Sequence, residues 1–152
     1  MAEELATHRF FADMDRAQVD VLAGCGQNVI VPAGTAMTRE GAHADTFWAI
    51  RAGRAALGVT APGRGLIVLE TLHAGDMLGW TWLFPPFRWH FDADAIDDLR
   101  AVVFDATCLR QKCQADPALG FALMGRFARV LDERLRATRM QLLDLYGQPA
   151  PR

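Results

Sequence analysis

Residues 45–79 read DTFWAIRAGRAALGVTAPGRGLIVLETLHAGDMLG. Three runs rich in β-branched and aromatic residues, DTFWAIR, RAALGVT and RGLIVLETL, are separated by Ala52-Gly53 and Pro62-Gly63-Arg64-Gly65, and Ala74-Gly75-Asp76 leads into a short piece at Asp76-Met77-Leu78. Each run has strand length, and each gap holds residues that turn a chain: glycine adopts left-handed dihedrals without a Cβ clash, and proline withdraws a backbone donor. The same texture continues outward. QNVIVP (27–32) and TAMTR (35–39) precede it, punctuated by Pro32-Ala33-Gly34 and Glu40-Gly41-Ala42, and RWHFDADA (88–95) and LRAVVFD (99–105) follow. Seven or eight short strands at this spacing predict a β-sandwich or jelly roll over residues 27–105.

On both sides of the β-region the pattern becomes helical. Residues 1–26 read as an N-terminal helical part in which Phe10 and Phe11 precede Asp15, placed to cap a helix carrying Val19, Leu22 and Ala23, with Gly24 or Gly26 ending it. Residues 106–147 read as C-terminal helices. A short one covers TCLRQKC (107–113), and Asp116-Pro117 then offers an N-cap and a proline at the first helical position. From there the pattern runs to Tyr146. With Phe121, Ala128, Leu135 and Leu142 at heptad position a, Met124, Leu131, Thr138 and Leu145 fall at d. A helix of about 30 residues is about 45 Å long, more than a small β-domain needs for cover. Its distal half is expected to meet a second copy through Met124, Ala128, Leu131, Leu135, Thr138, Leu142 and Leu145. The competing reading packs the whole seam on the chain's own sheet. Arg126, Arg129, Arg134, Arg136 and Arg139, with Asp132 and Glu133, read as a solvated, partly salt-bridged face. After Gly147 only QPAPR remains, which leaves a single domain over residues 1–152 as the expectation.

About half of the 152 residues are apolar, enough for a sizeable core. Sixteen basic against eighteen acidic side chains give a net charge of −2, with no electrostatic reason for attraction to nucleic acid or to an anionic membrane. Cys25, Cys108 and Cys113 form no CxxC pair and no even-numbered framework. They read as small buried or half-buried residues, Cys108 and Cys113 lying on different faces of one helix. The N-terminus lacks a signal-peptide pattern, and the longest apolar runs are far short of the roughly 20 residues of a membrane span. A soluble, cytoplasmic protein is expected.

A helix with a paired Phe, a glycine-punctuated β-region, a Gly-Asp-x-x-Gly turn and a long helix, in this order, resemble the cyclic-nucleotide-binding domain of the Crp/Fnr family. The carriers are Phe10-Phe11, Pro32-Ala33-Gly34 with Glu40-Gly41, Phe47-Trp48-Ala49-Ile50-Arg51-Ala52-Gly53, Leu72-His73-Ala74-Gly75-Asp76-Met77-Leu78-Gly79, and Asp116-Pro117-Ala118-Leu119. The resemblance covers nearly all of residues 5–146. It implies an α+β, mainly β fold: an eight-stranded jelly roll, or double-stranded β-helix, with an N-terminal helix and a long C-terminal dimerisation helix. The family's transcription factors carry a helix-turn-helix domain after the long helix; with only QPAPR after Gly147 in this sequence, a stand-alone form without that domain is expected, and direct DNA binding is not.

In that family the residues after the position of Gly79 form a phosphate-binding cassette. A short helix turns its N–H groups to the cyclic phosphate, a Glu binds the ribose hydroxyl, and an Arg ten or eleven residues beyond the glycine pairs with the phosphate. The matching stretch here is GWTWLFPPFRWHF (79–91), holding three of the four tryptophans. Gly79 matches. Trp80 stands where the Glu would be, and an indole has a donor but no acceptor for a sugar hydroxyl. Thr81, Trp82, Leu83 and Phe84 can form one helical turn that Pro85-Pro86 stops. Arg88 is nine residues after Gly79 and matches only with a shortened loop; without a gap, Trp89 or His90 takes the place. Strand alternation puts Arg88 and His90 on one face. If that face looks inward, an anion meets two donors; if outward, the aromatics fill the core. On the long helix, where the family sets a polar residue against the base, stand Arg134 and Leu135.

The candidate ligand-binding set is therefore Gly79, Trp80, Thr81, Trp82, Arg88, Trp89, His90 and Arg134. Trp48 reads as core, and Trp80, Trp82 and Trp89 read equally as core or as functional aromatics. His43 and His73 sit in turns. No His-x-His pair marks a metal-binding cupin, and His90 with Asp92 is a weak ligand set. No catalytic triad, P-loop or dinucleotide fingerprint appears. The leading expectation is a non-enzymatic regulatory or sensor domain whose remodelled cassette takes a nucleotide-type ligand other than cyclic AMP bound in the family's way, no other cofactor being indicated, and which signals through a protein partner. The alternative is an accessory subunit of a redox enzyme complex with an aromatic-filled pocket, and a metal-dependent cupin-like enzyme ranks below both.

Overall fold

The computed structural model describes residues 1–147. The 148–152 tail of the expected single domain lies outside the described residues. Helix α1 (Ala2–Ala6), a 3-10 turn at Arg9–Phe11 and helix α2 (Arg16–Ala23) lead into eight strands: β1 (Gly26–Val31), β2 (Ala36–Thr38), β3 (Thr46–Ala52), β4 (Ala55–Ala61), β5 (Gly65–Leu72), β6 (Met77–Leu78), β7 (Asp92–Ala95) and β8 (Leu99–Asp105). A 3-10 turn at Thr81–Leu83 separates β6 from β7, and helices α3 (Ala106–Ala115) and α4 (Pro117–Tyr146) follow β8. The strands form two antiparallel four-stranded sheets, in orders β1-β8-β3-β6 and β2-β7-β4-β5, the arrangement of a jelly roll. Among the described residues no helix is long and apolar enough to cross a membrane.

Alternation along β3 sends its side chains to two different cores. Phe47 and Ala49 face the helices, joining Phe10, Phe11, Leu22, Trp82, Phe104, Leu123 and Phe127 in one cluster. Ile50 joins Leu57, Leu72, Leu78, Ala93, Ala95 and Ala101 in a second cluster between the sheets, against which half-buried Trp48 packs. Capping sets the helix starts. The Asp15 carboxylate accepts from the Ala17 N–H, Asp105 accepts from Cys108 N–H at 2.6 Å, and Asp116 accepts from the N–H groups of Ala118 and Leu119.

Three expectations are corrected. The N-terminal residues form two helices and a 3-10 turn rather than one helical run, because the His8 ring interrupts the ladder: Nδ1 accepts from Phe10 N–H, and Nε2 donates to the Ile50 carbonyl at 3.0 Å. Burial lowers the His8 pKa, consistent with this neutral tautomer. The strand expected from residue 88 begins at Asp92, whose carboxylate accepts from Glu40 N–H and from the Thr60 hydroxyl. Residues 88–91 instead line a loop against the 41–44 turn, with Gly41 N–H donating to the Trp89 carbonyl and Trp89 N–H to the Ala42 carbonyl. Finally, Cys25 and Cys108 are joined by a disulfide across 83 residues of sequence, and only Cys113 is free. The pairing arises because Asp105 N–H donates to the Cys25 carbonyl at 2.9 Å, which lays the start of α3 on the turn between α2 and β1. Sequence spacing does not show that contact, and the cysteine count carries no argument about compartment.

Closing so long a loop restricts the unfolded chain and is worth about 2–4 kcal/mol. The variant Cys25→Ala/Cys108→Ala should therefore melt several degrees below the oxidised protein. A reductant should lower the melting temperature of the wild type to the same value; indifference to reductant would show that the thiols are unpaired.

Candidate functional site

The cassette segment begins at Gly79, whose φ of +98° is open to glycine and strained for other residues. A Cβ at this position would stand 2.6 Å from Cζ3 of Trp89. The indole thus lies directly on the Gly79 backbone, where a phosphate would approach in a Gly-led cassette. The cavity that remains, bounded by Leu78, Gly79, Trp80, Thr81, Trp89, His90 and Phe91, has about 20 Å³, room for about one water molecule. Five of the candidate residues, Gly79, Trp80, Thr81, Trp89 and His90, therefore do converge, around almost no space.

The other three are dispersed. Trp82 is fully buried on the helix side, stacked on Phe47 with centroids 5.2 Å apart and planes at 12°, and edge-on to Phe127. The turn it anchors is fastened by Arg110, which donates to the Trp82 carbonyl at 2.8 Å and sets its guanidinium 4.4 Å above the Phe87 ring. Arg88 is exposed, and among the described residues its side chain makes one hydrogen bond, a long one of 3.4 Å to the Gly41 carbonyl. His90 is exposed as well, so the alternation of this segment runs outward for Arg88 and His90 and inward for Trp89.

Arg134 reaches the site from α4 and stops against Trp80, with its guanidinium 4.9 Å from the ring centroid. Such a cation–π contact, largely shielded from water, contributes about 1–2 kcal/mol. Arg134 also donates to the Met77 carbonyl at 2.6 Å and pairs with Glu70 at 3.5 Å. Its side chain is only 14% exposed, which corrects its reading as part of a solvated face. Burial lowers its pKa, and the carboxylates of Glu70, Asp76 and Glu133 oppose that shift. The guanidinium is engaged by a carbonyl, a carboxylate and an indole, and only Nη1 is left without a partner among the described residues.

Sequence reasoning missed a larger cavity, of about 400 Å³, on the other side of Arg134. Arg9, Glu70, Asp76, Arg126, Arg129 and Glu133 contribute its charged wall. The spacing of Arg126, Arg129 and Glu133 on one helical face was the available signal, but it does not distinguish a cavity wall from a solvated surface. Among the described residues no group of three or more His, Cys, Asp or Glu side chains is placed to share a metal ion.

The packing of Trp89 on Gly79 can be measured by a double-mutant cycle. Gly79→Ala should cost about 2–4 kcal/mol from left-handed strain and overpacking, and Trp89→Ala about 3–5 kcal/mol from the cavity it leaves. Because the two groups touch, the double variant should be more stable than the sum by about 1 kcal/mol or more in denaturant titration; strict additivity would refute the contact.

Comparison with known proteins bears on the same segment. Residues 28–116 match the family described as the cyclic nucleotide-binding domain. A putative cyclic nucleotide-binding protein from Geobacter metallireducens GS-15 superposes with a TM-score of 0.79 at 25% identity, over 88% of this chain and 97% of its own. A cyclic nucleotide-binding domain from Methylobacillus flagellatus KT gives 0.82 at 19% identity, over 99% and 85%. The Thermus thermophilus catabolite activator protein gives 0.71 at 20% identity, over 91% of this chain and 63% of that one, a likeness of fold. No curated protein matches. The family match covers more than half of the chain and includes every strand but the first residues of β1, and this protein belongs to the cyclic nucleotide-binding domain family.

Proposed function

We propose that this chain is a regulatory domain of the cyclic nucleotide-binding fold whose cassette has become a packing element, so that it acts through protein contacts, first of all a homodimer along α4, without cyclic nucleotide in the cassette. The carrying observation is the Trp89 indole on the Gly79 backbone, which leaves about 20 Å³ where a nucleotide-sized ligand needs roughly 300 Å³ or more. Two further features support it. The ribose-binding carboxylate is replaced by Trp80, which lies under Arg134, and Arg88 lies at the surface. Of the two finer readings of the sequence, this geometry favours the aromatic-filled pocket over a remodelled nucleotide site.

The dimer rests on the two stripes of α4. Leu119, Leu123 and Phe127 are buried against the chain's own core, with Val130 partly so. The heptad seam lies elsewhere on the helix: Phe121 is 84% exposed, Met124 52%, Leu135 50%, Leu142 48% and Leu145 75%. Ala128 and Thr138 are exposed and Leu131 is half-buried. An amphipathic helix with its inward stripe satisfied and a second apolar stripe in water gains by pairing with its like.

Two measurements test the reading. Millimolar cyclic AMP or cyclic GMP should leave the melting temperature unchanged; a saturable rise abolished by Trp89→Phe or Trp80→Ala would return the cassette to ligand binding. Light scattering should give a dimer for the wild type and a monomer for Leu135→Glu/Leu142→Glu. A dimer that survives both glutamates would place the interface off the seam.

A further inference from the structure

The cavity of about 400 Å³ opens between the Arg9–Phe11 turn, the end of β5 with the turn into β6, and α4. From α4 it is lined by Arg126, Arg129, Val130, Glu133, Arg134 and Ala137, none of which is a seam position, so pairing along the seam leaves these side chains free. Its wall holds four arginines (Arg9, Arg126, Arg129, Arg134) against three carboxylates (Glu70, Asp76, Glu133), an excess of one positive charge by that count.

The internal pairing of these charges is uneven. Arg9 is held by Asp76 and by the Gly75 carbonyl at 3.0 Å, and Arg134 by Met77 and Glu70. Arg126 bonds two neutral carbonyls, Ala12 at 2.8 Å and Ala122 at 3.2 Å. Burial and then the charge of Arg129 lower the Arg126 pKa, with Asp13 acting against them. Among the described residues Arg129 and Glu133 make no hydrogen bond or ion pair through their side chains, and Nη1 of Arg134 is buried without a partner. One wall thus offers two crowded guanidinium groups, an acceptor carboxylate one turn away and an unused donor at the inner end. Phe10, Met77, Val130 and Ala137 supply an apolar side.

We propose that this cavity is a binding site for a small phosphate monoester that carries free hydroxyl groups, of the sugar-phosphate or nucleoside-monophosphate class. The phosphate dianion sits between Arg126 and Arg129, whose planar forks match its oxygens. A ligand hydroxyl donates to a carboxylate oxygen of Glu133, and Arg134 Nη1 donates to a second hydroxyl oxygen. The volume suits a ligand of that size. The site is separate from the cassette, from which Arg134 and Trp80 divide it, and it does not rest on the cassette being closed.

Titration calorimetry on the full chain tests this with ribose 5-phosphate and adenosine 5′-monophosphate, against ribose, adenosine and sulfate at matched ionic strength. At least one ester should bind saturably and the neutral compounds should not. Arg129→Gln should weaken the ester tenfold or more, and Glu133→Gln should weaken the ester while sparing inorganic phosphate. Arg100→Gln, exposed on β8 and outside the cavity, should change nothing. If only ribose 5-phosphate binds, the ligand is a sugar phosphate; if adenosine 5′-monophosphate binds more tightly, it is a nucleotide. Absence of saturable binding by both esters, or an affinity untouched by Arg129→Gln, overturns the site. Binding of an acidic hexapeptide in place of the esters overturns it in favour of a protein-docking surface. A response to cyclic AMP that survives Arg129→Gln but not Trp89→Phe would instead count against the closed cassette alone.

Discussion

The Phe47 ring is the joint on which the molecule is assembled. Phe104 stacks on it at 4.4 Å and Trp82 at 5.2 Å, both nearly parallel, and Phe127 meets it edge-on at 5.4 Å. Those four rings belong to β3, β8, the cassette turn and α4, so a single aromatic column fastens the sheet, the turn and the long helix together. Each aromatic pair adds about 0.5–1.5 kcal/mol beyond the area it buries, and the arrangement admits few alternative packings.

Placing Trp82 in that column determines what the cassette can do. Its turn is drawn against the helix-side core and held there by Arg110, while the loop after Pro86 folds back on the 41–44 turn and swings Trp89 over Gly79. The space that a glycine with positive φ keeps open is taken by an indole of the same chain. Charge follows the same logic. With the interior filled by rings, a guanidinium there would lack solvation, and Arg88 lies in water while Arg134 is held by Met77, Glu70 and the Trp80 face with Nη1 left over.

Helix α4 divides its work by angle. One stripe, from Leu119 to Phe127, completes the core; a second, from Phe121 to Leu145, stays apolar in water; a third, through Arg126, Arg129 and Glu133, walls a polar cavity. A helix of 30 residues has surface for all three because its first half alone reaches the β-roll fully, and side chains beyond residue 137 are exposed throughout.

Local chemistry made much of this legible in the sequence. Eight strands, the Asp15 and Asp116 helix starts and the unbroken run to Tyr146 follow from glycine and proline punctuation, capping carboxylates and apolar period, all properties of neighbouring residues. The segment of the candidate site was equally legible, from Gly79 and the tryptophans around it. Its state was not. Whether Trp89 or Arg88 turns inward depends on hydrogen bonds from residues 41 and 42, and the Cys25–Cys108 bond depends on α3 landing beside the α2–β1 turn. Sequence alone determined the order of the helical and β regions and which residues carry the family pattern, because those rest on short-range forces. Only the tertiary structure decided that the pocket is closed, that Arg134 is buried and that a second, charged cavity exists, because each is set by contacts between residues far apart in the chain.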